Sequence, residues 1–310
     1  MKRNNNHKTV MLKESLAGLI TVNDGTYVDG TFGRGGHSRA ILAMLSESGR
    51  VISIDKDPDA EAEVSRIEDD RMTFKRGCFS RLTHFLEEEK TGLIDGVILD
   101  LGLSSPQLEN PGRGFSFQLN GPLDMRMDNA EGEMVADWLD SARESEIAKV
   151  IKNYGEERYA KRVARSIVFN RKLKPIETTF ELSEIIKRAV LGPSQNKHPA
   201  TRTFQALRIY INKELDALEL FLPQCLDCLK PGGRLVIISF HSLEDRIVKQ
   251  FFKAESLKPI IPKEIPLKAD EFPLPRLRIV GKPVFPTREE IQINPRSRSA
   301  ILRIAERMAA

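Results

Sequence analysis

Three aspartates each end a short apolar run: Tyr27-Val28-Asp29, Val51-Ile52-Ser53-Ile54-Asp55 and Ile94-Asp95-Gly96-Val97-Ile98-Leu99-Asp100. A glycine-rich turn follows the first of them at once, Gly30-Thr31-Phe32-Gly33-Arg34-Gly35-Gly36-His37-Ser38. Glycines let a backbone approach a ligand closely, and a helix that starts there favours negative charge at its first turn. A carboxylate about 20 residues beyond such a turn is placed to accept hydrogen bonds from ribose hydroxyls. Turn and acid together are equipment for holding a nucleoside-bearing cofactor. Taken alone, Gly33 to Ser38 fits the dinucleotide pattern G-x-G-x-x-G/A with Ser in the last place, and so fits NAD. Asp29 argues for a different charge. A carboxylate beside the turn repels a pyrophosphate and attracts a sulfonium or ammonium group. Asp100 adds a second acid at a strand end. S-adenosylmethionine is therefore the favoured cofactor and NAD the alternative.

These residues need a sheet to hold them. Strand and helix alternate over the first hundred residues: strands at Thr26–Asp29, Arg50–Asp55, Met72–Arg76 and Ile94–Asp100, with helices at Gly36–Glu47, Asp59–Ile67 and Ser80–Glu89. The nearly continuous apolar run of the fourth strand is the mark of a strand buried on both faces, and the alternation predicts a doubly wound parallel sheet. From Ser105 to Asn212 the alternation stops, leaving turns and helical periods. It resumes with a helix at Lys213–Leu229, a turn at Lys230-Pro231-Gly232-Gly233 and a strand at Arg234–Phe240. A helix opening on Ser242-Leu243-Glu244-Asp245 follows with capping-box spacing. The expected organisation is a sheet domain over 1–104, an inserted helical domain over 105–212, and the rest of the sheet domain over 213–310. An N-terminal helix at Val10–Leu19 precedes the sheet, a proline-rich extended arm covers 257–295, and a last strand lies near Ser299–Glu306. The late order of turn, strand, helix, arm and strand suits a seven-stranded methyltransferase sheet.

The chain has 310 residues, 40% of them apolar, enough for a full core. Three cysteines argue against a disulfide framework and for a reducing compartment. No apolar run approaches membrane-spanning length, and the polar N-terminus has no signal-peptide core, so the cytoplasm is the expected location. The net charge is +4, unevenly spread. Gly114–Ile151 holds three basic and eight acidic residues, whereas Lys152–Lys213 holds fourteen basic and five acidic ones. Arg158, Lys161, Arg162 and Arg165 recur at helical spacing, followed by Arg171, Lys172, Lys174 and the stretch Lys197 to Arg202. Such a stripe is either a solvated helix face or a surface for nucleic acid phosphates.

Eight segments in order, DGTFGRGGHS, DLGLSSPQL, GRGFSF, GPLDMRMD, YGEER, KHPATRTFQALRIYIN, GGRLVIISFHSLEDRIVK and NPRSRSAILRIAER, resemble the ribosomal RNA small subunit methyltransferase H family, also called MraW. The resemblance runs from His7 to about Arg307. It implies a class I (Rossmann-like) S-adenosylmethionine-dependent methyltransferase sheet with an inserted helical domain that recognises substrate. It also implies methylation of the exocyclic N4 amine of a cytidine in the decoding centre of 16S rRNA within the small ribosomal subunit. By match to the family's motifs, Gly35, Gly36 and His37 hold the methionine portion, Asp55 the ribose and Phe79 the adenine, with Asp100 and Gln107 as the remaining cofactor positions. No metal, membrane or obligate protein partner is implied.

The chemistry demands more than a cofactor. A cytosine amine is a poor nucleophile because its lone pair is delocalised into the ring, so a site must position it and accept its N–H bonds. Many amino-methyltransferases do so with a [D/N/S]-P-P-[aromatic] loop after the fourth strand. Here the loop is Asp100-Leu101-Gly102-Leu103-Ser104-Ser105-Pro106, which keeps the acid and lacks the double proline and the aromatic. Asp100, Ser104 and Ser105 are the catalytic candidates, and Phe115 or Phe117 the candidate stacking face. Asp124-Met125-Arg126-Met127-Asp128 is either a local ion-pair pattern or a pocket lining. His241, at a strand end, is either a target-side group or a cap. Cys225 and Cys228 have the spacing of half a zinc site with no second half, and read as core. A rival from another functional class is a ribosome-binding assembly factor that has kept the fold and lost turnover.

Overall fold

A computed structural model describes residues 9–190, 198–257 and 274–309. The chain divides into two compact units, one formed by Met1–Gly102 with Leu215–Ala310, the other by Leu103–Glu214. In the first, α1 (Leu12–Leu19) leads into β1 (Thr26–Asp29), α2 (Gly36–Leu42), β2 (Arg50–Asp55), α3 (Glu61–Val64), β3 (Met72–Arg76), α4 (Leu82–Glu88) and β4 (Ile94–Asp100). The second unit is helical: α5 (Ser105–Glu109), α6 (Val135–Ser141), α7 (Glu144–Gly155), α8 (Ala160–Arg171), α9 (Thr179–Ala189) and α10 (Thr201–Asn212). The first unit then resumes with α11 (Glu214–Cys228), β5 (Leu229–Ser239), α12 (Ser242–Ser256), β6 (Leu277–Ile279), α13 (Arg288–Ile293) and β7 (Ile301–Arg307).

The seven strands form one sheet in the order β3-β2-β1-β4-β5-β7-β6. The first five are mutually parallel, and β7 runs antiparallel to both β5 and β6. Chain order reverses between β1 and β4, the place where open α/β sheets bind ligands beyond their carboxyl ends. Asp29, Asp55 and Asp100 all stand on that edge. The centre of the sheet is apolar on both faces. Val28, Ile52, Val97, Leu99, Leu235 and Ile237 pack with α4 and α11 on one side, while Tyr27, Val51, Ile98, Val236 and Ile238 pack with α1 and α2 on the other.

The helical unit has its own core. In α7, Ile147, Val150 and Ile151 are buried at i, i+3 and i+4, and they join Val163, Ala164 and Ile167 of α8 and Phe204, Ala206 and Leu207 of α10. The start of α9 is fixed by a capping box. The hydroxyl of Thr178 accepts from the Glu181 amide at 3.3 Å, and the Glu181 carboxylate accepts from the Thr178 amide at 3.0 Å.

Several elements differ from their sequence expectation. The helix after the glycine turn ends at Leu42 rather than Glu47, because the Ser46 amide donates instead to the Asn23 carbonyl (2.8 Å), swinging the chain into β2. The Lys230-Pro231-Gly232-Gly233 turn belongs to β5 as a bulge. Leu229 pairs with Ile94 and Arg234 with Gly96, so four residues face Asp95, whose carboxylate binds Lys230 at 2.8 Å. The cap of α12 is His241, one residue before the expected Ser242. The arm is less extended than expected, since it contains β6 and α13. Its part at 258–273, the N-terminal stretch including His7, and Lys197 lie outside the described residues.

Candidate active site at the carboxyl edge of the sheet

The glycine turn is shaped by backbone conformations that favour glycine. Gly35, the residue before α2, has φ of 71°, in the left-handed region. Gly36 is crowded: a Cβ there would lie 2.0 Å from Thr9 Oγ1, so the N-terminal segment lies directly on the turn. His37 and Ser38 are buried behind it.

The turn is tied to the strand-end acids. Asp55 accepts the Gly33 amide at 2.6 Å and the Asp57 amide at 2.9 Å. Asp29 accepts from the Thr31 amide at 3.2 Å and from the Ser38 hydroxyl at 2.7 Å, and Ser38 also meets the Ser53 hydroxyl at 2.8 Å. Thr31 Oγ1 accepts the Asp100 amide at 2.6 Å, joining the turn to the end of β4. Phe79, directly after β3, packs edge-on against Phe221 with ring centres 5.4 Å apart. Thus Gly35, Gly36, His37, Asp55, Phe79 and Asp100 all stand at the carboxyl edge of one sheet.

The electrostatics of this edge are unusual. Burial lifts the Asp29 carboxyl to about 6, outweighing its hydrogen bonds to Ser38 and Thr31. Burial also raises Asp55 above the ordinary carboxylate range. Asp100 is pushed well above it, first by burial and then by the negative charges of Asp29, Glu244 and Glu290. One Asp100 oxygen, Oδ1, is buried with no hydrogen-bond partner among the described residues. The other lies 3.8 Å from His37 Nδ1, too far for a hydrogen bond and close enough for charge attraction when the imidazole is protonated. Glu244 and Glu290 carry no local sequence signal for this role. Glu244 belongs to the α12 cap, where its carboxylate accepts the Phe240 and His241 amides at 2.8 and 3.3 Å. Glu290 sits on α13 and accepts the Met11 amide at 2.7 Å. Only tertiary folding brings both to Asp100.

The other candidates have local roles. His241 caps α12 through Nδ1, which accepts the Glu244 amide at 3.4 Å. Ser104, Ser105 and Gln107 belong to the helical unit, at the start of α5. Ser104 and Gln107 form a reciprocal capping box there: the serine hydroxyl accepts the Gln107 amide at 3.4 Å, and Gln107 Oε1 accepts the Ser104 amide at 2.9 Å. Phe115 is buried in the helical core. Phe117 stacks on His198 at 4.5 Å and meets Phe204 edge-on at 4.9 Å. The Asp124–Asp128 stretch is an ion-pair pattern, with Arg126 bridging both Asp124 oxygens at 2.7 and 3.0 Å and with Met125 and Met127 buried. Cys225 is buried and burial pushes its thiol up, as in an apolar core. In the basic stripe, Arg171 donates to the Leu139 carbonyl, Lys174 pairs with Glu181 at 2.6 Å and Arg165 lies 3.7 Å from Glu144. Lys161, Arg162 and Lys172 are exposed.

The strand order, the antiparallel β7 and the acids along the carboxyl edge define a class I S-adenosylmethionine-dependent methyltransferase. The model of the MraW methylase family matches residues 4–308, and the chain belongs to that family. A Ribosomal RNA small subunit methyltransferase H from Nitrosospira multiformis is 53% identical over 309 residues, 97% of each chain. One from Dechloromonas aromatica is 49% identical over 308 residues, 99% of this chain and 100% of that one. An rRNA methylase structure from Streptococcus thermophilus superposes only loosely (TM-score 0.41, 14% identity, 96% of this chain and 93% of that one), so the fold assignment rests on strand order. The cofactor is S-adenosylmethionine, and the NAD alternative is set aside. The residues present suit that group. An acidic edge with a buried Asp100 oxygen, partnerless among the described residues, favours a cation and opposes a pyrophosphate. Among the described residues no helix is long and apolar enough to cross a membrane.

Proposed function

We propose that this protein methylates the exocyclic N4 amine of a cytidine in the decoding centre of 16S rRNA, acting on the small ribosomal subunit in the cytoplasm. The observation that carries the reading is Asp100: a half-buried acid at the reversal of strand order, with one oxygen buried and without a hydrogen-bond partner among the described residues. The names of the relatives supply the ribosomal substrate, and the basic α8 surface suits its phosphates.

When bound, S-adenosylmethionine supplies an electrophilic methyl group on a positively charged sulfur. The protein's own groups do the rest. The backbone of Gly35, Gly36 and His37 receives the methionine portion, Asp55 the ribose hydroxyls and Phe79 one face of the adenine. Asp29 provides negative charge beside the turn. Asp100 accepts an N–H of the target amine, which concentrates the lone pair on nitrogen, and takes the proton released as the carbon–nitrogen bond forms and the carbon–sulfur bond breaks, the neutral thioether leaving. Its raised affinity for protons suits that task. Ser104 and Gln107 shape the loop after Asp100 through their capping box, and Gln107 completes the cofactor positions. Ser105 offers a hydroxyl to the amine. The helical unit recognises the RNA.

The test is transfer of a labelled methyl group to small subunits lacking the modification, followed by nucleoside analysis. N4-methylcytidine is expected from the unmutated protein. Asp100→Asn, at saturating cofactor, is expected to lose about 100-fold in turnover, in the range of a removed general base. Full turnover by that variant would remove Asp100 from the chemistry. No transfer by the unmutated protein, with RNA association intact, would leave an assembly factor without turnover.

A further inference from the structure

The basic residues late in the chain fall into two groups. Those at the far edge of the sheet are paired with acids. Arg278, on β6, holds Glu306 at 2.7 Å, and Arg276, just before it, binds Asp227 and lies 3.7 Å from Glu255. Between Lys282 and Arg298 the chain carries four basic residues, Lys282, Arg288, Arg296 and Arg298, and two acidic ones, Glu289 and Glu290. Lys282, Arg288 and Arg298 are exposed. None of the three has an acid partner among the described residues.

This segment lies at the carboxyl edge. β7 begins at Ile301 opposite Ser239, the last residue of β5, so the residues just before Ile301 stand beyond the carboxyl end of β5. Val284 pairs with Leu302, which brings the residues after Lys282 to the same place. Glu290 of α13 adds its charge to Asp100. Its hydrogen bond to the Met11 amide braces α13 against the N-terminal segment, whose Thr9 lies on the cofactor turn. The turn that presents the arginines is pinned by a hydrogen bond from a buried serine. Ser297 is fully buried and donates to the Asn294 carbonyl at 2.8 Å, while Arg296 and Arg298 on either side point outward. Phe285, in the same segment, is 62% exposed.

We propose that Lys282, Arg288 and Arg298, with Phe285, form an RNA-binding surface on the sheet unit that holds the strand flanking the target nucleotide. The proposal rests on the rRNA reading above and adds a contact of the methyltransferase unit itself, distinct from the basic stripe of α8. Cations neutralise phosphates, and an exposed ring stacks on an unpaired base. An apolar protein partner would use Phe285 and would leave the three cations without a counter-charge, whereas RNA meets both, so RNA is the better occupant.

The test compares the unmutated protein with a Lys282→Gln, Arg288→Gln, Arg298→Gln variant and with Phe285→Ala. Each is measured against unmodified small subunits and against naked 16S rRNA over a range of salt concentrations. Unchanged S-adenosylhomocysteine binding establishes that the variants are folded. For the triple variant, association with both RNAs is expected to fall about tenfold and the slope of log affinity against log salt to shrink by about 2. KM for subunits is expected to rise with kcat retained. Phe285→Ala is expected to weaken association with the salt slope unchanged. Undiminished association and slope in the triple variant would overturn the surface. Loss confined to subunits, with naked RNA bound normally, would also overturn it in favour of a ribosomal protein contact. Failure of the unmutated protein to bind either RNA would sink the rRNA reading itself.

Discussion

The carboxyl edge of the sheet and the surface of the helical unit handle charge in opposite ways. At the carboxyl edge of the sheet, buried Asp29 and half-buried Asp55 and Asp100 all rise, Asp29 to about 6. In the helical unit an acid such as Glu181 drops to about 2, because Lys174 and the start of α9 hold it ionised at the surface. An acid paired at the surface is at ease, and such pairs contribute little to stability. Acids crowded away from water are costly to keep and mark a place where an incoming cation relieves the cost. The difference separates a site preorganised around a small charged ligand from a surface whose charges are carried by solvated side chains, the form that the proposed contact with RNA needs.

The sharpest way to break this contrast is at the ribose. Asp55→Ala is expected to weaken S-adenosylhomocysteine binding by a few hundredfold, since charge-assisted hydrogen bonds are the strong ones. It should leave RNA association intact, and calorimetry beside filter binding reads both. Similar losses in the two would mean that the units do not divide the work. The next effect is on stability. Asp29→Asn removes a buried charge and keeps the shape, because the Ser38 hydroxyl is able to turn and accept from the new amide. The native carboxyl titrates at about 6 against 3.8 for the ordinary group. The native state therefore binds this proton more tightly. Its stabilising effect is complete below the unfolded value and is lost as pH rises through 6. The variant should be more stable than the parent at pH 8, by up to about 3 kcal/mol from a shift of roughly two units, with a flatter profile between pH 4 and 6. It should also bind S-adenosylmethionine less well. Denaturant titrations across that range would show an unchanged slope if Asp29 behaved as a solvated acid. The smallest effect belongs to the helical unit. Replacing Lys161, Arg162 and Lys172 by Ala is expected to weaken RNA binding about tenfold and reduce its salt slope by about 2, without change in melting temperature or cofactor binding. An unaltered salt slope would reduce the α8 stripe to a solvated face.

Strand-end acids were readable because burial on both faces leaves a continuous apolar run, and a carboxylate that stops such a run stands out. Asp29, Asp55 and Asp100 all have that form. Glu244 and Glu290 do not. One reads as an ordinary residue of a helix start and the other lies in a proline-rich arm, so their approach to Asp100 depends on β5 and β7 pairing across the sheet. Local competition explains smaller departures. His241 directly precedes α12 and Ser242 opens it, each with an acid three residues on, and the imidazole won the cap because Glu244 reaches back to the Phe240 and His241 amides. Ser104 and Gln107 show the reverse. Their spacing is that of a helix start as well as that of a loop lining a site, and the capping geometry is the part that local physics dictates.

The pairing of β4 with β5 also bears on how the protein is made. β4 is complete at Asp100, and its partner begins at Leu229. During synthesis at about 5–20 residues per second, roughly 130 residues must emerge before that neighbour arrives, which leaves the seam open for on the order of ten seconds. Throughout that interval the nascent sheet carries as its edge a strand whose centre, Val97-Ile98-Leu99, is apolar, an arrangement prone to pairing with another chain. The helical unit, made of local contacts, is completed inside the same interval. Its placement in the chain thus sets a period in which the half-built enzyme depends on shielding of β4.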